Sequence, residues 1–257
     1  MPQQIDRRRI AAAGIVLLGL LLGARLAIAL PPLLLIAVAL VLGALILQRL
    51  GIGLRALLGP GASAAEWRYA LKYVPAVMIT SFGLAYLSLA LLYAVAPDAV
   101  AERVREMSRA YQGLHFILLA LVAAPIFEEL LFRGMLFPLL ALRWGAAAAM
   151  LVSAFVFGLF HLNVLGATVF GLAATVFYLR TSSLLVPMGA HFFNNAIAVG
   201  LALALPSPEA PPELTQEALR TSLWPALAMT LFGGYFVLRL LRRNWPPGLP
   251  APFRALP

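Results

Sequence analysis

Five ionisable side chains stand out inside apolar stretches of this sequence, where a charge is costly. Glu128, Glu129 and Arg133 share one stretch, His161 lies in the next and His191 in a later one. A charged group at the centre of a bilayer costs about 2.5–3.5 kcal/mol on insertion scales, and such groups mark functional sites by default. These five residues are therefore the first candidates for chemistry.

Helical spacing distinguishes the two adjacent carboxylates. Glu129 and Arg133 are four residues apart with the acid first, the order that favours an ion pair on one helix face. A structural salt bridge is the simplest interpretation of that pair. Glu128 is turned about 100° away and has no local partner. A lone carboxylate at mid-depth needs a partner on another helix or a shifted pKa, and both conditions suit a general base.

His191 and Asn195 are also four residues apart, so an imidazole and a carboxamide project from one helix face. Both groups can donate hydrogen bonds. Two neighbouring donors suit the oxyanion that forms when water attacks a peptide carbonyl. The structural alternative is an interhelical hydrogen bond that joins two spans.

His161 follows Phe157 by one helical turn, so the aromatic ring is expected to pack beneath the imidazole. The next apolar run, Gly166 to Leu179, would be only about 21 Å long as a helix, which is too short to cross a core of about 30 Å. The turn at Leu162 to Gly166 is therefore expected to lie below the outer surface. That depth would carry His161 towards Glu128.

The elements that position these residues follow from composition. The chain is 63% hydrophobic with a mean hydropathy of +0.94, whereas soluble domains are about 45–50% apolar. A water-soluble fold is excluded. Isolated strands cannot satisfy their backbone groups in lipid, so the spans are helical. We predict an all-α polytopic membrane bundle of about eight transmembrane helices, with a polar site between spans four, five and seven. The eight apolar runs that form the spans are 10–28, 33–47, 74–96, 115–142, 145–163, 166–179, 184–205 and 223–241.

These runs leave no stretch for a separate soluble domain, so we predict one transmembrane domain over residues 1–257 with a core at about 115–205. The net charge is +9, but the basic residues are scattered in short loops and form no stripe for nucleic acid. With a cytoplasmic N-terminus, thirteen of them lie inside and four outside. The positive-inside rule thus favours both termini on the cytoplasmic side. We expect the protein to lie in a cell membrane, most simply a bacterial plasma membrane.

Three motifs in order resemble a known family. They are Glu128-Glu129-Leu-Leu-Phe-Arg133, Phe157-Gly-Leu-Phe-His161 and His191-Phe-Phe-Asn194-Asn195. This set is similar to the EExxxR, FxxxH and HxxxN motifs of the CAAX-protease and bacteriocin-processing intramembrane peptidases, which include the Rce1-type prenyl endopeptidase.

The resemblance implies an endopeptidase acting on a membrane-embedded or lipid-tethered peptide within the lipid bilayer. It implies that Glu128 and His161 activate the attacking water, that His191 and Asn195 stabilise the oxyanion, and that Glu129 and Arg133 support this arrangement. The role of His161 rests mainly on the resemblance.

A zinc-dependent version of the same peptidase stays open, because Glu128, His161 and His191 have the ligand types of a His₂Glu site. They lie on three helices without the local H-E-x-x-H spacing, so metal-independent catalysis without a cofactor is favoured. The chain has no cysteine, which excludes thiolate ligands.

Two other classes of function remain. The same polar cluster would suit a non-catalytic membrane scaffold or a bacteriocin-immunity protein, and buried Glu and His side chains also form proton relays in transporters. Transporters commonly show paired repeats, and this sequence shows none. The complete set of polar motif residues favours the peptidase.

Overall fold

The computed structural model describes residues 12, 14–21, 32–49, 51–102, 117–161, 163–204, 216–245 and 248. These ranges are largely helical and contain no strand, so the all-α prediction is confirmed. The α-helices are α1 (Pro32–Arg49), α2 (Leu54–Leu58), α3 (Ala64–Leu71), α4 (Val74–Val95), α5 (Ala124–Glu129), α6 (Phe137–Leu159), α7 (Val164–Thr181), α8 (Leu185–Ala204) and α9 (Gln216–Arg243). Two π-helical segments, Leu119–Ala123 and Leu130–Leu136, flank α5.

Several of these helices are long and apolar enough to cross a membrane. Among the described residues there are five such segments: Ala64–Val95, Leu119–Leu159, Val164–Thr181, Leu185–Ala204 and Arg220–Arg243. The chain is therefore a multi-pass membrane protein. The count of eight spans stays a prediction, because much of the first predicted run lies outside the described residues.

The 41-residue segment Leu119–Leu159 is a hairpin and not one straight helix. The rings of Phe132 and Phe157 meet edge to face with centroids 5.1 Å apart, whereas 25 residues of straight helix would separate them by about 37 Å. The chain reverses at Gly145, whose φ of 78° and ψ of 158° are non-helical and suit a residue without Cβ. The sequence places the boundary between spans four and five at this residue.

A proline accounts for the irregular hydrogen bonding at the start of this hairpin's first arm. The Ala124 N–H bonds to the Leu119 carbonyl, five residues back, which is the π register. In that register the next N–H would reach Ala120, but Pro125 has none. The Ala120 carbonyl is thus left without a helical partner. A π-helical turn often marks a functional site, and this one lies beside Glu128.

Helix α7 runs through the middle of the bundle and packs against α4 and α6. It has 18 residues, about 27 Å, so the expectation that the sixth span is too short is wrong. Asn163 caps α7 before the apolar run begins, since its side chain accepts the Gly166 N–H. The short arm is instead residues 146–159, because α6 ends at Leu159.

The turn between α6 and α7 is fastened to the middle of α4. The Asn163 Nδ2 donates to the Ser81 carbonyl at 2.8 Å and contacts the Ser81 Oγ at 3.0 Å. Ser81 lies about 10 Å from the start of α4 at Val74 and about 21 Å from its end at Val95. This contact agrees with a turn sunk well below the end of the neighbouring span.

Candidate active site

Glu129 joins two helices through one carboxylate oxygen. Its Oε1 accepts hydrogen bonds from Arg133 Nη1 at 3.0 Å and from His191 Nδ1 at 2.9 Å. All three side chains are almost fully buried. The ion pair predicted from the spacing of Glu129 and Arg133 is therefore present. The contact with His191 was not predicted, because it depends on how α8 packs against α5.

Arg133 is held by an aromatic face as well as by its ion pair. Its guanidinium carbon lies 4.4 Å from the centroid of the Phe157 ring, a distance typical of a cation–π contact. A Cβ at Gly171 of α7 would come within 3.1 Å of Arg133 Nη2. The absence of a side chain at position 171 thus makes space for the guanidinium.

Glu128 faces His161 across the fold. The Glu128 Oε2 and the His161 Nε2 are 3.6 Å apart. The His161 Nδ1 lies 2.8 Å from the Phe157 carbonyl oxygen, which only accepts hydrogen bonds, so Nδ1 carries the proton. Nε2 is therefore free to face the carboxylate. At 3.6 Å the two atoms are too far apart for a good hydrogen bond, and Glu128 Oε2 is buried without a partner among the described residues.

Phe157 connects the two histidines. Its ring lies 4.4 Å from the His161 ring and 6.0 Å from the His191 ring, measured between centroids. The prediction that Phe157 packs beneath His161 is confirmed. The FxxxH spacing signalled this one contact, whereas the contacts with Arg133 and His191 needed the tertiary structure.

Asn195 lies one turn beyond His191 on α8 and makes an interhelical hydrogen bond. Its Nδ2 donates to the Ala120 carbonyl at 2.8 Å, the carbonyl that Pro125 leaves without a helical partner. This is the contact expected of the structural alternative. One N–H of the amide is left over, so the contact does not remove its capacity to donate to an oxyanion.

The structure thus brings Glu128, Glu129, Arg133, His161 and His191 together from the predicted spans four, five and seven. Asn195 shares the helix of His191 but contacts the first π-helical segment. Sequence reasoning missed Asn163, which fixes the turn that carries His161. An asparagine directly before a helix is an N-cap signal, and that signal was available for Asn163.

The two histidines meet only part of what a metal site requires. Each imidazole has its Nδ1 occupied, by Glu129 or by a backbone carbonyl, which is the outer-shell pattern of metal-binding histidines. Within the described ranges, however, no three His, Asp or Glu side chains are grouped to hold a metal. Glu128, His161 and His191 as placed do not form a three-ligand site, and we assign no step to a metal.

The chain is thus an all-α, multi-pass membrane protein in which buried carboxylates and imidazoles from separate spans converge. Residues 110–197 match the model of the family described as type II CAAX prenyl endopeptidase Rce1-like. The resemblance drawn from the three motifs is confirmed for this segment, which carries an Rce1-like domain. The match of this segment suggests CAAX-type intramembrane protease activity. No curated protein and no solved structure matches the chain.

Proposed function

We propose that this protein is an intramembrane endopeptidase that hydrolyses a peptide bond in a membrane-embedded or lipid-tethered substrate. The observation that carries the proposal is the opposition of Glu128 Oε2 and His161 Nε2 at 3.6 Å. Both atoms are proton acceptors, one of them is buried without a protein partner, and a water molecule that contacted both would be oriented and polarised.

In the first step, the water oxygen attacks the carbonyl carbon of the scissile bond while a water proton passes to the Glu128 carboxylate. The carbonyl π electrons move to oxygen and form a tetrahedral oxyanion. A positioned base of this kind contributes about 10²–10⁴-fold to the rate. The backbone contact of Nδ1 keeps His161 in the tautomer that accepts at Nε2.

The oxyanion requires donors, and His191 supplies one only when both of its nitrogens are protonated. Its Nδ1–H is already directed at Glu129, so the Nε2–H of an imidazolium would be the second donor. The carboxylate of Glu129 stabilises that cation at 2.9 Å. The remaining amide N–H of Asn195 serves the same oxyanion. Removing one such donor typically costs about 10²–10³-fold in kcat.

In the second step, the proton held by Glu128 passes to the amide nitrogen, the carbon–nitrogen bond breaks and its electron pair leaves with the amine. The products are a new amine and a new carboxylic acid, which then loses its proton to solvent. No electrons are gained or lost overall. We propose that this reaction proceeds without a metal, and stoichiometric zinc in active purified protein, together with loss of activity on chelation, would reverse that assignment.

The test compares the wild-type protein with Glu128→Gln in proteoliposomes, using quenched peptides that carry an isoprenoid thioether on a cysteine near the C-terminus. The same peptides without the lipid are the matched control. Cleavage by wild type alone, with a preference for the lipidated peptide, supports the proposal. The absence of cleavage of either peptide by folded wild-type protein argues against this substrate class.

A second comparison covers substrates outside the peptide set. Membranes and secreted peptides from cells expressing wild type or Glu128→Gln are searched for C-terminal or lipid-linked fragments that depend on Glu128. If none is found, the non-catalytic scaffold becomes the better interpretation.

We further propose that the protein resides in a cell membrane with both termini in the cytoplasm, as the arginine distribution favours.

A further inference from the structure

A group of cations and aromatic rings that includes none of the catalytic residues has no role in the proposed reaction. Lys72 Nζ lies 5.1 Å from the ring centroid of Tyr69 and 5.1 Å from that of Tyr73. Arg180 Cζ lies 4.4 Å from the same Tyr69 ring. The Tyr69 hydroxyl oxygen accepts a hydrogen bond from Asn244 Nδ2 at 3.2 Å. We call these residues the Tyr69 cluster.

The cluster gathers three distant parts of the chain at one end of the bundle. Lys72 lies between α3 and α4, Arg180 is in the last turn of α7, and Asn244 follows α9. Arg243, directly before Asn244, is also exposed. All these cations fall on the side that the positive-inside rule assigns to the cytoplasm.

The two cations on Tyr69 are close to each other and lack a carboxylate partner. Their distances to the shared ring put them no more than about 9.5 Å apart, which is comparable to the Debye length of about 8–10 Å at 0.1–0.15 M salt. Among the described residues, no carboxylate forms an ion pair with Lys72 or Arg180. The nearby acid on α3, Glu66, is engaged by Ser63 in a capping box. The cluster therefore has a local excess of positive charge held in fixed positions.

The depth of the cluster matches that of lipid phosphates. Helix α4 has 22 residues, about 33 Å, which is close to the thickness of a hydrocarbon core. Lys72 and Tyr73 immediately precede it, so they lie at its boundary. Tyrosine rings are enriched at this level of a membrane. Lys72 and Arg180 are exposed, whereas Tyr69 is half-buried and Tyr73 buried.

We propose that the Tyr69 cluster binds the phosphate of an anionic phospholipid headgroup on the cytoplasmic side. Lys72 and Arg180 supply charge-assisted donors, and guanidinium groups fit phosphate oxygens well. The Tyr69 hydroxyl accepts from Asn244, so its own hydrogen is free to donate to the phosphate. Cation–π contacts hold both cations before the lipid arrives. This site is independent of the proposed peptidase activity.

The experiment titrates phosphatidylglycerol into full-length protein in a neutral detergent and follows the melting temperature. The test variant is Lys72→Gln/Arg180→Gln. The matched control is Arg55→Gln/Arg242→Gln, which removes the same charge from two exposed arginines outside the cluster. Each basic residue near an anionic surface contributes about fivefold, so the test variant should bind phosphatidylglycerol about 25-fold more weakly. The control should stay close to wild type.

Further arms identify the source of the phosphate. Phosphatidylcholine should raise the melting temperature far less than phosphatidylglycerol, and Lys72→Arg/Arg180→Lys should retain the effect. Equal losses in the test and control variants would show a general charge effect and overturn the proposal. A stabilisation of the same size by inorganic phosphate alone would reassign the site to soluble phosphate and also overturn it.

Discussion

His191 and Glu129 are 62 positions apart in the chain, yet the imidazole Nδ1 and the carboxylate Oε1 lie 2.9 Å apart in the buried centre of the bundle. The same oxygen accepts from Arg133. Glu129 thus connects the fourth predicted span to the seventh and fixes which nitrogen of His191 remains available. The adjacent Glu128 faces a different histidine, so the two neighbouring carboxylates are predicted to have separate roles.

Glu128→Gln should abolish most of the hydrolysis without harming the fold. The amide keeps the size of the side chain but does not accept a proton from water, so kcat should fall by about 10²–10⁴-fold. Burying a neutral amide costs less than burying an unpaired charge, so the melting temperature should not fall. Peptide cleavage and thermal stability are measured on the same preparation. Near-normal cleavage would show that the central residue of the mechanism is wrongly assigned.

Glu129→Gln should lower stability, because it leaves Arg133 buried without its ion-pair partner. Breaking one side of a buried pair costs about 3–5 kcal/mol. The double variant Glu129→Gln/Arg133→Gln should recover part of the melting temperature, whereas Glu128→Gln/Arg133→Gln should not. Cleavage should stay low in the first double variant, since His191 still lacks its carboxylate. Full recovery of cleavage there would contradict a role for Glu129 in supporting His191.

Asn195→Ala separates an oxyanion donor from a purely structural hydrogen bond. If the amide donates to the oxyanion, kcat should fall by about 10²–10³-fold with little change in KM. Loss of the bond to the Ala120 carbonyl should cost only about 0.6 kcal/mol, the average for interhelical hydrogen bonds in membranes. Steady-state kinetics and melting temperature are compared with those of the wild-type protein. A loss of stability with unchanged kcat would assign Asn195 to structure alone.

Asn163→Ser should weaken catalysis through His161 while it keeps the helix cap. Serine still caps α7, but its shorter side chain does not reproduce the amide's bonds to Ser81 on α4. We expect a fall in kcat of about tenfold, on the scale of one net hydrogen bond of about 1–1.5 kcal/mol. Ser81→Ala is the control, since the Ser81 carbonyl still accepts from Asn163. Unchanged kcat in Asn163→Ser would show that the turn needs no tether to α4.

The topology is tested with reporters at two positions. A reporter after residue 257 should report the cytoplasm, and one within residues 206–222 should report the outside, because arginines favour the inner side. The meeting of Lys72, Arg180 and Asn244 around Tyr69 places the ends of three helices on one face. Reversed reporter signals would overturn the assignment of the basic residues to the cytoplasm.

The sequence by itself determined the all-α class, the membrane environment and the pair Glu129 and Arg133. Each is a local property: apolar runs have to form helices in lipid, and residues four apart on a helix face each other. The break at Gly145 was also predicted, because one apolar run ends at residue 142 and the next begins at residue 145. The predicted length of the sixth span was wrong, since the Asn163 cap starts α7 two residues before its apolar run.

Only the tertiary structure decided which groups meet across helices. The contact of Glu129 with His191, the Phe157 ring under Arg133 and the tether from Asn163 to Ser81 join residues 24 to 82 positions apart. Helical periodicity fixes the direction in which a side chain leaves its own helix. It carries no information about the rotation or depth of the neighbouring helix. Those two quantities depend on close packing of the whole bundle, where glycines such as Gly171 set how near two helices approach.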